Sequence, residues 1–593
     1  MNTMDVLQLL CGLALFLYGM NVMGDALKQS AGSKLKVILA SLTSNTWLGF
    51  LLGLGVTAII QSSSATTVMV VGFVNSGTMT LTQAVGVIMG ANVGTAVTAW
   101  ITGLSGLGEG GEAVGAFLQW LKPDAWMPIL AVIGIALSMF GKREKHKNIG
   151  AILLGFAVLM VGMDTMSGAV EGLKSDPTFR SILTMFENPI LGVLAGTILT
   201  AIVQSSSASV GILQSLSMTG TITYGAAIPI IMGQNIGTCI TALLSSIGAT
   251  KNGKRAALVH LYFNIIGVVV WLSLFYLVDY FVDFSFMNPN AAGEIPVVNT
   301  WMIAFIHTLF KILCVILFAP FAKWLEKLAV ISVRSSKEEE KINMLDERLL
   351  ETPAVAVERA KGVTIEMAKI SCDALVLSLR MLRDYNSKDA ETIKAYENKA
   401  DAYEDMLGTY LVKLSGHNST ERDSHEITKL LHLIGDFERI SDHAVNILES
   451  AEEMKDKKIT FSPEAQKELR VLCGAVEEIL DITYKSFVAG DYEFAAQVEP
   501  LEQVIDNLKD KIKANHIKRL QKSECTIEHG FVLSDLLNNL ERVSDHCSNI
   551  AGCVIEISRF DALDMHEYLN AIKNGESGEY AEKFNEYSQK YAL

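Results

Sequence analysis

The chain has 593 residues, half of them hydrophobic, and a formal net charge of −15, so it exceeds a single domain and its acidity disfavours nucleic acid as a partner. The charge is unevenly divided: 16 Lys and Arg stand against 14 Asp and Glu up to Val330, and 33 against 50 beyond it. A near-neutral apolar half therefore precedes an acidic soluble one, and eight cysteines without a Cys-x-x-Cys pair read as reduced thiols of a cytoplasm-facing chain.

In chain order, the apolar run 6–27 has no basic flank before it and no cleavage site after it, and reads as a retained membrane helix. Further spans are expected at 84–104, 126–140, 149–170, 226–247, 256–277 and 301–325. Between the first two lies Gln61-Ser62-Ser63-Ser64, flanked by the apolar runs 48–60 and 65–74. Each run is shorter than the ~20 residues that cross a bilayer, which suits a re-entrant hairpin turning at the tetrad.

The tetrad returns as Gln204-Ser205-Ser206-Ser207, an offset of 143. The same offset relates Gly12 to Gly155, Gly19 to Gly162, Thr57 to Thr200, Gly90 to Gly233, Asn92 to Asn235 and Thr95 to Thr238. A helix broken inside a membrane leaves bare carbonyls at the end of one half and bare N–H groups at the start of the next. Serines cap the second half, whose N-terminus favours an anion, while the carbonyl end of the first favours a small hard cation. A single tetrad could serve only close helix packing, but the in-register duplicate weakens that reading.

The basic loops 142–147 and 251–255, with Lys28, Lys34 and Lys36, are expected in the cytoplasm, and the segments around Glu109 and Glu112 and at 283–294 outside. With those signs the two repeats are inverted, as in many secondary transporters. Ala257-x-x-His260-x-x-Phe263-Asn264 resembles Ala304-x-x-His307-x-x-Phe310-Lys311. Buried His260, His307 and Lys311 need a cavity or a partner, and Asp164, 143 after Asn21, reads equally as cation ligand or packing partner. No Gly-x-x-x-x-Gly-Lys-[ST] loop is present, which argues against a primary, ATP-driven pump.

Beyond a charged linker at 331–352, six amphipathic segments at 354–385, 389–415, 421–453, 463–489, 493–520 and 527–557 suggest two three-helix bundles, followed by a polar tail at 561–593. This half is also duplicated: Glu438-Arg439-Ile440-Ser441-Asp442-His443 matches Glu541-Arg542-Val543-Ser544-Asp545-His546, and Glu397-x-x-x-Asp401 pairs with Glu502-x-x-x-Asp506. Carboxylates at i and i+4 repel on one helix face unless a cation sits between them, so Glu438, Asp442, Glu541, Asp545, Glu397, Asp401, Glu502 and Asp506 are candidate ligands for a divalent or ferric ion.

The paired tetrads resemble the sodium/phosphate cotransporter family, and the Glu-x-x-x-Asp bundles resemble the PhoU domain of many bacterial members; together the resemblances cover about 5–560. They imply an all-α polytopic membrane transporter with inverted repeats at about 5–104 and 148–247, extra helices within 256–325, and a PhoU-like domain over 353–560. The implied substrate is inorganic phosphate, held by Gln61, Ser62, Ser63, Ser64, Gln204, Ser205, Ser206 and Ser207 with Asn92 and Asn235. The implied coupling ion is Na+, near Gln61, Ser64, Thr66, Thr95, Gln204, Ser207 and Thr238. The expected product is a non-enzymatic, multi-pass protein of the inner membrane, acting as a homodimer with its C-terminal half in the cytoplasm. A phosphate sensor or scaffold, or an exporter, is the competing reading. Asn539 stands where the first bundle has Asp436, which weakens the second metal site.

Overall fold

A computed structural model describes residues 3–40, 45–104, 123–171, 177–289, 295–334, 344–417, 420–558 and 578–593. Among these the regular structure is helical, with no strand. The chain divides into two compact units, Met1–Val355 and Ala356–Leu593.

The first unit contains α1 (Thr3–Ala40), α2 (Thr46–Ile60), α3 (Ser63–Asn75), α4 (Leu81–Gly94), α5 (Ala96–Gly103), α6 (Pro123–Phe140) and α7 (Glu144–Glu171). It continues with α8 (Pro177–Met185), α9 (Pro189–Val203), α10 (Ser206–Ser217), α11 (Tyr224–Gly237), α12 (Cys239–Ser245), α13 (Lys251–Val282), α14 (Thr300–Phe318) and α15 (Ala322–Ser332). Six stretches are long and apolar enough to cross a membrane: Thr3–Ser30, Leu81–Gly103, Glu144–Glu171, Tyr224–Ser245, Lys251–Val282 and Thr300–Ser332. The seventh expected span, Trp126–Phe140, is a shorter apolar helix. The exterior segment expected around Glu109 and Glu112 lies outside the described residues, as do 290–294.

The duplication is carried by its caps. Asn45 caps α2 by accepting from the Trp47 amide, and Asn188, 143 later, caps α9 by accepting from Ile190 and Leu191. Thr80 caps α4 in a capping box with Gln83, and Thr223 caps α11. Gly77 at φ 70° and Gly220 at φ 65° make the turns before those helices, a conformation glycine adopts without a Cβ penalty.

α1 and α7, equivalent helices of the two repeats, cross through glycines. A Cβ on Gly12 would lie 2.7 Å from the Met166 amide nitrogen, and one on Gly155 would lie 2.7 Å from that of Met23. Gly19 faces Leu159, and Gly162 faces Phe16. As the number rises along α1 it falls along α7, so the pair is antiparallel. Phe16, Met23, Leu159, Met160, Met163 and Met166 fill the seam, joined by Ala208 of α10.

The second unit has α16 (Pro353–Met381), α17 (Ser387–Ser415), α18 (Glu421–Asp456), α19 (Pro463–Ala489), α20 (Tyr492–Ala495), α21 (Val498–Gln521), α22 (Ile527–Ser558) and α23 (Gly578–Lys590). α18 packs on α17 and α22, and α22 also packs on α19 and α21. The tail, expected to stay outside both cores, instead forms α23 against α21. Its Tyr587 is buried, and Lys590 pairs with Glu478 at 2.7 Å. The tail's polar composition hid a helix with one apolar aromatic face.

The linker also differs from its reading. Residues 344–352 join the first unit through a short 3-10 turn, Glu347–Glu351, with Leu349 fully buried and Asp346 at 1% exposure.

Candidate functional site: two facing serine tips

Both helix breaks have the same backbone. Gln61 ends α2 in the left-handed region (φ 58°, ψ 22°), and Gln204 ends α9 at φ 56°, ψ 19°. A non-glycine residue there costs on the order of 1 kcal/mol and persists where the surroundings enforce it. Each is fastened by a backbone bond, from the Gln61 amide to the Thr57 carbonyl at 2.8 Å and from the Gln204 amide to the Thr200 carbonyl at 2.7 Å. The next residue caps the second half: Ser62 Oγ accepts from the Ala65 amide at 3.1 Å, and Ser205 Oγ from the Ala208 amide at 3.2 Å. The first-turn amides of Ser63 and Ser64, and of Ser206 and Ser207, have no helical carbonyl behind them.

The two tips line one cavity of about 170 Å³. Its walls are Gln61–Ser64, Gln204–Ser207, Ile60 and one face of α1: Met20, Asn21, Gly24, Asp25 and Lys28. That volume holds a few water-sized groups, with a water's share of the liquid about 30 Å³. Two helix N-termini with serine hydroxyls converge on it, which makes it a candidate anion site. The α1 residues were missed in the tetrads' neighbourhood. Asn21, Asp25 and Lys28 stand at i, i+4 and i+7, a one-face spacing that the sequence does contain. Lys28 Nζ donates to Asp25 Oδ1 at 3.3 Å, which brings a cation and a carboxylate to the cavity.

The other predicted residues do not line this cavity. Asn92 Nδ2 donates to the Ile88 carbonyl and Asn235 Nδ2 to that of Ile231. Thr95 and Thr238 hydroxyls donate to the carbonyls of Ala91 and Gln234, four residues back on their own helices. Thr66 Oγ1 donates to the Ser62 carbonyl and accepts from Thr57 Oγ1 at 3.0 Å. Asp164 is half-buried and lies off the cavity, although its counterpart Asn21 lines it.

The tips differ behind their common backbone. Gln61 is buried, with Oε1 accepting from Thr98 Oγ1 at 2.8 Å, whereas Gln204 is exposed. Where the first repeat has the Thr57–Thr66 bond, the second has Thr200 Oγ1 and Ser209 Oγ, both buried without a hydrogen-bond partner. Gln234 Oε1 is a third such oxygen, while its Nε2 donates to the Ser209 carbonyl. Lys311 is buried at 3% exposure and donates to the Asn92 carbonyl at 2.7 Å, and the ring nitrogens of His260 and His307 have no hydrogen-bond partner.

Residues 15–168 and 161–287 match the Na+/Pi-cotransporter family, and residues 364–451 and 469–554 match the PhoU domain. The chain thus carries a Na+/Pi-cotransporter family region followed by a PhoU domain. It is 23% identical over 565 residues to a Salmonella typhimurium protein named as an inorganic phosphate export protein, YjbB, covering 93% of this chain and 98% of that one. It is 38% identical over 167 residues to the human sodium-dependent phosphate transport protein 2B, covering 26% of this chain and 24% of that one. The PhoU structure from Streptococcus pneumoniae overlaps 36% of this chain and 99% of its own at 15% identity and a TM-score of 0.33.

The PhoU domain does not gather the expected metal ligands. Among the described residues no group of three or more His, Cys, Asp or Glu side chains is close enough to hold an ion. Basic residues stand among the acids instead: Arg439 lies 3.7 Å from Glu438 and 3.8 Å from Asp442, and Lys509 pairs with Glu541 at 2.8 Å. Crowding is nonetheless real. Burial, then Asp442 and Glu404, pushes Glu438 up to about 7, and burial followed by Asp442 and Asp401 raises Glu397. Burial and then Glu541 raise both Asp506 and Asp545. The Asn539 departure has a structural role: His443 Nδ1 donates to Asn539 Oδ1 at 2.8 Å, and His546 Nδ1 donates to Asp436 Oδ1 at 2.9 Å, so each repeat's histidine meets the other repeat's Asp or Asn.

Proposed function

We propose that the first unit is a secondary transporter that couples Na+ to the movement of inorganic phosphate across the cell membrane, and that the PhoU domain regulates it from the cytoplasm. The observation that carries this reading is the convergence of the two Gln-Ser-Ser-Ser tips on one small cavity. There the phosphate oxygens would take the Ser63, Ser64, Ser206 and Ser207 amides and the serine hydroxyls, with Lys28 at the rim.

Sodium coupling is supported by the oxygens of Thr200, Ser209 and Gln234, which are buried and unpartnered at the foot of the second tip. Buried oxygens in that state are costly, and a small dehydrated cation would satisfy them together. Cation and anion then raise each other's affinity by the same factor. Antiparallel packing of α1 on α7 supports inverted repeats, with 142–147 and 251–255 on the cytoplasmic side. A divalent or ferric ion on the acidic PhoU faces would require Arg439 and Lys509 to swing aside.

Export is the second reading, favoured by the name of the Salmonella relative that spans most of both chains. The same site serves both, since the gradients of the coupled ions set the direction. Purified protein in proteoliposomes should take up labelled phosphate when Na+ is imposed outside and not when choline replaces it. Phosphate flux indifferent to Na+ would sink the coupled reading, and absence of flux would leave a sensor or scaffold.

A further inference from the structure

The two broken spans offer a comparison within one molecule. In the first, α4 gives way to α5 at Thr95; in the second, α11 gives way to α12 at Thr238. Each interruption frees a carbonyl near a half-helix C-terminus, where the dipole favours positive charge. At the first break the Asn92 carbonyl accepts from the ammonium of Lys311 at 2.7 Å. At the second, no lysine among the described residues reaches the equivalent Asn235 carbonyl: the Cys239 thiol lies 3.7 Å from it and 3.5 Å from the His260 carbonyl, and Asn264 Nδ2 donates to that His260 carbonyl at 2.9 Å and to Cys239 Sγ at 3.3 Å. Asn264 is the residue that matches Lys311 in the repeated Ala-x-x-His-x-x-Phe motif of α13 and α14. One break therefore holds a charged donor and its counterpart a neutral one.

The charge at Lys311 is not there for a salt bridge: among the described residues it donates to the Asn92 carbonyl, and no carboxylate pairs with it. Burying an ammonium with a carbonyl as partner is costly, and such residues inside membranes persist for function. The oxygens also differ between repeats. Thr57 and Thr66 satisfy each other in the first, whereas Thr200, Ser209 and Gln234 keep unpartnered oxygens in the second.

Resting on the sodium-coupled reading above, we propose that Lys311 is a tethered cation that takes the place of an exchangeable sodium ion at the first break, leaving the second repeat to bind the sodium that travels with phosphate. The positive charge at Asn92 then stays with the protein through every cycle. The transporter moves one fewer sodium per phosphate than two symmetrical breaks would require. Lys311 acts as a positioning and stoichiometry-setting residue, since it does not touch the cavity between the tips.

The test uses the full chain in proteoliposomes, with paired ²²Na+ and ³²P-phosphate fluxes and the Hill coefficient for Na+. Lys311→Asn, which installs the residue of the matching α13 motif, is expected to raise the sodium count per phosphate by about one, to steepen the Na+ dependence, and to recover its rate at high Na+ but not at high K+. The reciprocal Asn264→Lys is expected to lower the count by about one. An unchanged ratio in Lys311→Asn overturns the proposal. If that variant fails to insert, an unchanged ratio in Asn264→Lys overturns it instead. Parent protein without sodium-dependent flux removes the functional reading itself and this proposal with it, whereas a coupled parent with unmoved variants removes this proposal alone.

Discussion

Asn75 and Asp346, 271 residues apart, share a hydrogen bond of 2.5 Å between Nδ2 and Oδ2. Asn75 closes α3, the second half of the first hairpin, and its Oδ1 accepts from the Thr250 amide at 2.6 Å. Asp346 also pairs with Arg348 at 2.7 Å, and Arg348 donates to the carbonyls of Ser245 and Ile247. Leu349 packs against Gly72, where an added Cβ would come within 3.1 Å of it. The segment that leaves the last span is thus latched to α3 of the first hairpin.

Asp346→Ala should leave the Asn75 amide and the Arg348 guanidinium short of a buried partner, a loss of roughly 1–3 kcal/mol. Thermal unfolding of the detergent-solubilised protein should fall accordingly, and Arg348 should become open to trypsin. A chain ended before Ser335 loses the latch as well as the PhoU domain. One ended after Thr352 keeps the latch, so the two truncations separate its effect from the domain's.

At the tips, cap and ligand roles can be told apart. Ser62→Ala and Ser205→Ala each remove an N-cap, a cost of about 1 kcal/mol. Ser63→Ala and Ser206→Ala remove no cap and should leave stability near the parent's while cutting phosphate transport at least tenfold. Gln61→Gly relieves left-handed strain but deletes the acceptor for Thr98 Oγ1, so it should insert normally and transport poorly. Parent-like transport in Ser63→Ala and Ser206→Ala together would move the site elsewhere.

Much of this site was readable because it is written twice. The offset of 143 predicts two like turns, and Gln61 and Gln204 adopt backbone angles within 3° of each other. What one copy of a pattern must reveal alone was harder. Asn21, Asp25 and Lys28 sit in a mostly apolar helix, and only tertiary packing turns that face to the tips. The charged composition of 337–348 reads as solvated, yet Asp346 finds Asn75 and Arg348, and neighbouring Leu349 is buried. Spacing put Glu438 and Asp442 on one helix face, with Arg439 three residues before Asp442 also within reach, but it could not place Lys509 of another helix beside Glu541.

The PhoU acids give a pH prediction. Glu438 ordinarily titrates at 4.5 and is pushed up to about 7 by burial, then by Asp442 and Glu404. The folded state holds that proton more tightly than the unfolded one. Its contribution is therefore full below about pH 4.5 and is lost as the pH rises toward 7. Glu438→Gln keeps a neutral group at every pH. It should match the parent near pH 4.5 and exceed it at pH 8 by on the order of 1 kcal/mol, since solvent screens a partly exposed group. Urea unfolding across that range measures the difference, and a constant gap would show that Glu438 is not held up by its neighbours.

Topology offers the last test, because inversion of the repeats decides which side each tip faces. The α1–α7 contacts run in opposite order along equivalent helices, Gly12 to Met166 at one end and Met23 to Gly155 at the other. Two equivalent spans that pack antiparallel must enter the membrane from opposite sides, and the Lys/Arg loops then fix which side is cytoplasmic. Lys145, in the first turn of α7, and Ser285, in a turn, are exposed positions predicted to lie on opposite faces. In a background with the reactive native thiols replaced, starting with exposed Cys11, Lys145→Cys should react with an impermeant maleimide only from the cytoplasmic side. Ser285→Cys should react only from outside. Labelling of both from one side would break the inverted arrangement, and with it the expectation that the tips approach the cavity from opposite faces of the bilayer.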